Sequence, residues 1–469
     1  MSDRISHHPQ SQLLFAGLVV TAAILSSCAV SGPHGAVTTV VEAGAEFQEL
    51  SGIGGRSRAA RKAEPWWKSF NDRVLDKLIR EALGKNFSLE AAGARIAQAD
   101  AALRQAGGRL FPMVDAGGSY IAQWTDDGSP TDESTRLGAL LDWELDVWGR
   151  LRSARKAREL ERDASVADFF GARVLLSASV AETYFEILEQ ESQLRLLEEQ
   201  IETGQTLLDL TELRFGQAQS SVVDVLQQRV QLAATETLKP GVEARLRQLE
   251  YALDVLLGRT PGSGAQVRYR ELQPPPALPS AGVPSELLKN RPDLIATGQR
   301  VAAIDYEVAE AIADRLPRFN LGASTAATGA PTIDTVVAGA VGSIAGPVFD
   351  AGIRKAEVAR RRAELKEAIA AYSQGYLAAI RDVETALVLE RKQAERVSLL
   401  ANQLDIAQRL LRESRNRYSQ GLTDYLPVLT AVVTEQNLQR ELVTSRRELL
   451  SFRVALHRAL GGPMGERSP

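Results

Sequence analysis

The residues able to do covalent or acid–base chemistry are few. The chain has a single cysteine, Cys28, and four histidines, His7, His8, His34 and His457. One thiol forms no internal disulfide and no cysteine-based metal site. The histidines are too scattered for a zinc centre or a proton relay. Three acids, Asp142, Glu144 and Asp146, stand at alternate positions. Paired carboxylates can do acid–base work, but a period of two puts these on one face of an extended segment, where they read as a polar lining. The pairs Gly54-Gly55 and Gly107-Gly108 match no phosphate-cradling loop. The sequence thus predicts no catalytic residue, no cofactor and no metal, and the question becomes what these elements build.

Over 469 residues the formal net charge is only -4, which gives no footprint for nucleic acid. Aromatic residues make up 6%. From Val166 onward the chain is rich in Ala, Leu, Glu, Arg and Gln, all good helix formers. That composition suits long helical arrays better than a small globular core.

The N-terminus reads as an address. Leu13 to Leu25 is an apolar run of signal-peptide length, too short to span a bilayer as a helix. Arg4 is the one firmly cationic side chain before it. Leu25-Ser26-Ser27-Cys28 resembles the bacterial lipobox. The resemblance implies removal of 1–27, lipidation of Cys28 and a lipid-linked tether over 28–63. Ala29 after the cysteine favours the outer membrane.

The chain is internally duplicated, with an offset of about 204 residues. Leu89 falls on Leu294, Gly93 on Gly298, Arg95 on Arg300 and Pro112 on Pro317. Gly149 falls on Gly352, Arg214-Phe215 on Arg417-Tyr418, Val225-Leu226 on Val428-Leu429, and Leu257-Gly258 on Leu460-Gly461. Each half reads as helix, two strands, long helix, turn, return helix. Pro112 stops the first helix. Val114, Ala116, Gly118, Tyr120, Ala122 and Trp124 then alternate with a more polar set, which predicts a strand. After a polar loop, Leu137 to Val147 alternates again. The second hairpin, Phe319 to Phe349, is Gly-rich and nearly uncharged, and its glycines and prolines exclude a membrane-spanning helix.

Arg150 to about Arg214, and Ile353 to about Arg417, contain no proline. A helix of that length belongs in a coiled coil or bundle. The expected organisation is a first repeat over 64–262, with its β-hairpin near 112–148 and helical hairpin near 150–258. A Pro-rich crossover follows over 263–291. A second repeat covers 292–462, with hairpins near 317–349 and 353–460, before a tail at 463–469. Trp66 and Trp67 are expected to pack a small domain between the helices. Asp293, after Pro292, reads as a helix N-cap.

Four strands cannot close a barrel, and open edges are not tolerated in lipid. Barrels of eight strands are filled by side chains, so three copies supplying twelve strands make the smallest plausible channel. The sequence resembles the TolC-like outer-membrane efflux proteins, particularly the OprM- and NodT-type lipoproteins, from about Glu64 to Gly462. The residues that carry this are Trp66-Trp67-x-x-Phe70, Leu75-x-x-Leu78-Ile79, Asn86 and Leu145-Asp146-Val147-Trp148-Gly149-Arg150. Pro284-Ser285-x-Leu287-Leu288-x-x-Arg291-Pro292-Asp293, Arg417-Tyr418-x-x-Gly421 and Tyr425-Leu426-x-Val428-Leu429 complete the set.

The resemblance implies a mainly α fold with transmembrane β-strands. It implies a homotrimer whose twelve-strand barrel in the outer membrane continues as a periplasmic helical barrel. The implied function is passive export of drugs, metals or other small molecules, without catalysis, when docked to a periplasmic membrane-fusion adaptor and an inner-membrane pump, most simply of the RND type. Outer-membrane lipid is a partner and nucleic acid is not. The tips Arg214, Phe215, Gln217 and Arg417, Tyr418, Gly421 would touch the adaptor. The first tip departs from the family in having Ala218 where Gly is usual, which predicts that the two tips differ in geometry. The pore aperture would fall at Asp424, Leu426, Pro427 and Thr430, with Asp424 the only acid nearby and Asp224, in the first half, the alternative place for a carboxylate. Pro427 and Thr430 replace acids found in many relatives. A type I protein-export channel of the same fold and a periplasmic coiled-coil scaffold are the alternatives.

Overall fold

The computed structural model describes residues 47–50, 64–126, 130–264, 267, 270–279, 282–330 and 332–462. The expected signal segment, Cys28, most of the tether and the tail at 463–469 lie outside these residues. In chain order the helices and strands are α1 (Arg73–Lys85), α2 (Phe87–Gly108), β1 (Met113–Trp124), β2 (Pro130–Leu145), α3 (Arg150–Gly216), α4 (Val222–Glu236) and α5 (Lys239–Leu256). Then come α6 (Leu287–Asn290), α7 (Pro292–Ala313), β3 (Arg318–Gly329), β4 (Ile333–Ala345), α8 (Ile353–Ser419) and α9 (Leu426–Ala459). The long helices α3 and α8 are each 67 residues, a match that the repeat demands.

The chain divides into two compact units. The first, within 94–167 and 295–374, holds one antiparallel sheet of order β1-β2-β3-β4. The register pairs Val114 with Leu141 and Ala116 with Ala139, then Leu141 with Ala323 and Ala139 with Thr325, and Ala323 with Ala340. All of these therefore share one face. The charged residues Asp115, Arg136, Asp142, Glu144 and Arg318 share the other. The apolar face is solvent-exposed in the single chain, with Tyr120 60% and Val336 70% accessible. Among the described residues β1 and β4 each have one unpaired edge.

At the base of the sheet, Trp143 donates to the Leu110 carbonyl (3.0 Å) and Trp148 to the Pro317 carbonyl (2.7 Å), the latter tying one repeat to the other. Gly149 (φ 79°) and Gly352 (φ 85°) turn the chain into the long helices through a left-handed backbone that favours glycine. Small side chains at Ala164, Ala167 and Ala296 let the helices of this unit approach closely.

The second unit, within 42–93, 168–294 and 375–469, has the larger core. Trp66 and Trp67 are buried in it with Leu75, Ile79, Tyr184, Leu253 and Val454. Buried aromatic N–H and O–H groups need partners. Trp66 donates to the Ser177 hydroxyl (3.1 Å), Trp67 to Asp76 (3.1 Å) and Tyr184 to Asp72 (2.8 Å). Asp72 also caps α1, accepting from the Val74 N–H at 2.8 Å.

Several local readings change. The second half of the loop expected after Trp124 is strand, since β2 begins at Pro130; β2 ends at Leu145 rather than Val147. Asp146 is not a strand-face acid: it accepts from the Leu151 and Arg152 N–H groups (3.0 and 2.9 Å) and stabilises the start of α3. Glu144 binds Arg150 at 2.7 Å. Asp293 is not an N-cap. It lies inside the first turn of α7, after Pro292, and binds Arg291 at 2.8 Å. Pro292 occupies the first helical position because its missing N–H has no helical acceptor there. The first return helix is two helices, broken at Thr237 and Leu238, with Pro240 in the opening turn of α5. Within the tether, Phe47 is buried, and Glu384 accepts from the Gln48 and Glu49 N–H groups at 2.6 and 3.1 Å.

Candidate functional site

The candidate site is the pair of turns joining α3 to α4 and α8 to α9, both in the second unit. Each long helix ends in the same way. In the first tip, Gln219 N–H reaches the Arg214 carbonyl (2.8 Å) and Ala218 N–H the Phe215 carbonyl (2.9 Å). In the second, Leu422 N–H reaches the Arg417 carbonyl (2.9 Å) and Gly421 N–H the Tyr418 carbonyl (3.0 Å). These are the paired bonds of a Schellman ending, which needs a left-handed residue just past the helix. Gly421 supplies it at φ 73° and Ala218 at φ 59°. The expected difference in tip geometry is therefore absent. The same paired bonds hold Ala218 in the conformation that glycine adopts freely.

The helices leaving the two turns begin differently. Helix α4 starts with a capping box: Ser221 accepts from Val223 N–H (3.0 Å), and Asp224 accepts from Ser221 N–H (3.0 Å). Asp224 is thereby committed to the backbone. Helix α9 begins without a side-chain cap, with Pro427 in its first turn. There the N–H that proline lacks has no helical acceptor to lose.

Among the sequence-predicted tip residues, Phe215, Gln217, Arg417 and Gly421 face solvent, and Arg417 binds Glu413 at 3.0 Å. Tyr418 is buried, its ring 5.4 Å from that of Tyr425, with the Arg214 guanidinium 4.5 Å from its centroid. The structure thus brings Arg214 and Tyr418 together and leaves the other four apart. Of the aperture residues, Asp424, Leu426, Pro427 and Thr430 are all exposed in the single chain, and the Thr430 hydroxyl donates to the Leu426 carbonyl at 2.9 Å.

Sequence reasoning missed Tyr425, Gln228 and Arg415. The Tyr425 hydroxyl donates to the Gln228 amide oxygen, and Gln228 donates to the Gly204 carbonyl at 2.8 Å. Burial pushes the Tyr425 hydroxyl well above the usual phenol range. It therefore stays a neutral donor. The signal for Gln228 was readable: it is an amide between Val225 and Leu232 on the buried stripe of α4. Among the described residues no group of three or more His, Cys, Asp or Glu is placed to hold a metal ion.

Comparison with known proteins returns one family. The chain matches the family described as outer membrane efflux protein over residues 78–259 and 283–462. It is 32% identical over 439 residues to the pyoverdine export outer membrane protein OpmQ of Pseudomonas putida, covering 89% of this chain and 93% of that one. It is 28% identical over 415 residues to the cation efflux system protein CusC of Escherichia coli, covering 85% and 88%. Among solved structures, the outer-membrane channel OprN superposes with a TM-score of 0.82 at 26% identity, covering 92% of this chain and 99% of that one. VceC of Vibrio cholerae gives 0.77 at 25%, covering 85% and 98%.

Proposed function

This chain belongs to the outer membrane efflux protein family and is an outer-membrane efflux channel component; from that premise we propose that three copies close a twelve-strand barrel. The observation that carries the proposal is the sheet. Its four strands leave β1 and β4 with unpaired edges, and one face carries no charge from its helix end as far as Glu133, which lies opposite Ala122 near the hairpin turn. Lipid does not tolerate an unpaired edge, so β1 of one copy pairs with β4 of the next. The apolar face meets hydrocarbon and the face with Asp115, Arg136 and Asp142 lines water. One stretch of α3 is apolar enough to cross a membrane by length and composition. In this reading it packs against neighbouring helices of a periplasmic tube.

Cysteines at Ala116 and Ala340, whose positions lie on the two edge strands, test the barrel. Crosslinked trimers and single-channel conductance in planar bilayers are expected. Non-conducting monomers would sink the proposal. Lipidation at Cys28 is tested by fatty-acid labelling, which Cys28→Ser should abolish.

The tube receives its cargo from a periplasmic adaptor and an inner-membrane pump of the RND class. The cargo is small molecules or ions, the kind named for OpmQ and CusC. Gln217 and Gln420, exposed at the two tips, face the adaptor, and cysteines there should crosslink to it. The aperture is closed by Leu426 and tip packing, because Pro427 and Thr430 supply no carboxylate ring. Rings of acids select cations. Wild-type reversal potentials should accordingly show mild cation selectivity, and Pro427→Asp with Thr430→Asp should increase it.

A further inference from the structure

The second unit holds a groove of about 450 Å³ beside the second tip, walled by Thr203, Leu207, Thr211 and Arg214 of α3 and by Arg415 and Tyr418 of α8. It contains donors that the chain does not use. The Nε atoms of Arg214 and Arg415 and the Tyr418 hydroxyl are buried without a hydrogen-bond partner. Tyr418 is 8% exposed, so its hydroxyl gains no compensation from bulk water. A buried donor left without an acceptor is costly, and this recurs here at three atoms in one groove.

Four carboxylates of these helices and turns are already engaged, and Asp424 is exposed. Asp224 holds the Ser220 hydroxyl (2.8 Å) and the Ser221 N–H. Glu212 binds Arg229 (2.7 Å) and Glu413 binds Arg417 (3.0 Å). Glu435, within electrostatic reach of Arg415, accepts from Gln439, and burial pushes its carboxyl above the usual range. Neither Arg214 nor Arg415 forms an ion pair among the described residues. Both remain half-buried cations on a groove whose walls mix aliphatic side chains with threonines.

We propose that this groove binds a carboxylate side chain, Asp or Glu, carried on a helix of the periplasmic adaptor. The proposal rests on the adaptor-docking reading and names the chemistry of the contact. The argument is charge complementarity. Two guanidiniums and a phenol hydroxyl with unused donors line one groove, and charge-assisted bonds to a carboxylate are the strong ones. Leu207, Leu210 and Val428 line the same groove. They suit the apolar flank of an amphipathic helix, which a free inorganic anion would leave bare.

The test uses the full chain in cells with its own adaptor and pump. A photocrosslinking residue at Thr206, which lines the groove, should capture the adaptor. Mass spectrometry should place the link within one helical turn of an Asp or Glu. The charge-reversed variant Arg214→Glu/Arg415→Glu should reduce that crosslink at least tenfold while the trimer still forms. Exchanging the identified adaptor carboxylate for Arg should restore it. Arg214→Lys/Arg415→Lys should keep most of the crosslink, which separates a lost charge from a misfolded tip. Capture of a second copy of this chain at Thr206, or an adaptor crosslink indifferent to charge reversal, overturns the inference while crosslinks from Gln217 and Gln420 keep the docking reading. Absence of adaptor crosslinks from all three positions overturns both.

Discussion

The two repeats build the same scaffold from different local solutions. Both long helices have 67 residues, and both return segments close on a left-handed glycine, Gly258 at φ 71° and Gly461 at φ 78°. Leu253 and Leu456 occupy matching positions and are each fully buried. Around this shared frame the details diverge. Where α3 buries Ile187 in an apolar core, the matching position of α8 is Glu390, bound to Arg453 with both side chains almost wholly buried. The return segment breaks at Thr237 in the first repeat and runs unbroken over 34 residues in the second. What the duplication preserves is length, turn position and close approach. How a given site is stabilised is free to drift.

The largest expected effect breaks the comparison at the buried pair. Arg453 binds Glu390 and also donates to the Pro276 carbonyl of the crossover. Glu390→Ala leaves Arg453 buried and unpaired, which costs about 3–5 kcal/mol. Ile187→Val at the matching position removes one methyl and costs about 0.5–1.5 kcal/mol. Denaturant unfolding of the detergent-solubilised protein compares them. Equal losses would mean that Arg453 finds water or another partner.

The next contrast concerns the helix break. Pro240 sits in the first turn of α5, where it replaces no helical hydrogen bond. The matching residue of the second repeat, Val443, lies inside α9. Val443→Pro should cost about 3 kcal/mol or more, while Pro240→Ala should change stability by less than about 1 kcal/mol. If both were mild, the unbroken α9 would not be the rigid member of the pair.

A smaller difference separates the caps. Ser221 accepts from Val223 N–H within its capping box, and Ser221→Ala should cost about 1 kcal/mol. The start of α9 has no side-chain cap. Asp424→Ala should therefore leave thermal unfolding unchanged. A loss matching that of Ser221→Ala would show that Asp424 caps after all.

Much of this architecture is legible in the sequence because it rests on periodicity and length. Alternation over Val114 to Trp124 marks the first strand, and proline-free stretches mark the long helices. The shared face of the strands follows once the register is known, since each pairing step preserves the alternation. What was not legible depends on tertiary partners. Asp146 reads as a strand acid until the strand ends one residue earlier and the carboxylate meets the backbone of α3. Asp293 reads as a cap until Pro292 takes the first helical position. Tyr425 and Gln228 are 197 residues apart in the chain, so nothing local announces their hydrogen bond. Even so, the amide on an apolar stripe was a visible anomaly that asked for a partner.

The finest contrast is between Ala218 and Gly421, because the backbone there is the same and the residue is not. Both end a Schellman turn in the left-handed region. A Cβ on an L-residue costs roughly 1–2 kcal/mol there, whereas glycine loses more conformational freedom on folding. The two terms oppose each other, and the steric one is larger at a positive φ. Ala218→Gly should therefore stabilise the first tip by up to about 1 kcal/mol, and Gly421→Ala should destabilise the second by a similar amount. At Gly421 an added Cβ meets nothing within 4 Å, so backbone conformation alone sets the sign. Hydrogen exchange of the tip amides reads each tip separately. Slower exchange at Gln219 in Ala218→Gly and faster exchange at Leu422 in Gly421→Ala is the expected pair of outcomes. Faster exchange in both would mean that Ala218 gains more from its methyl group than it loses to strain, and the two tips would then be held shut by different forces.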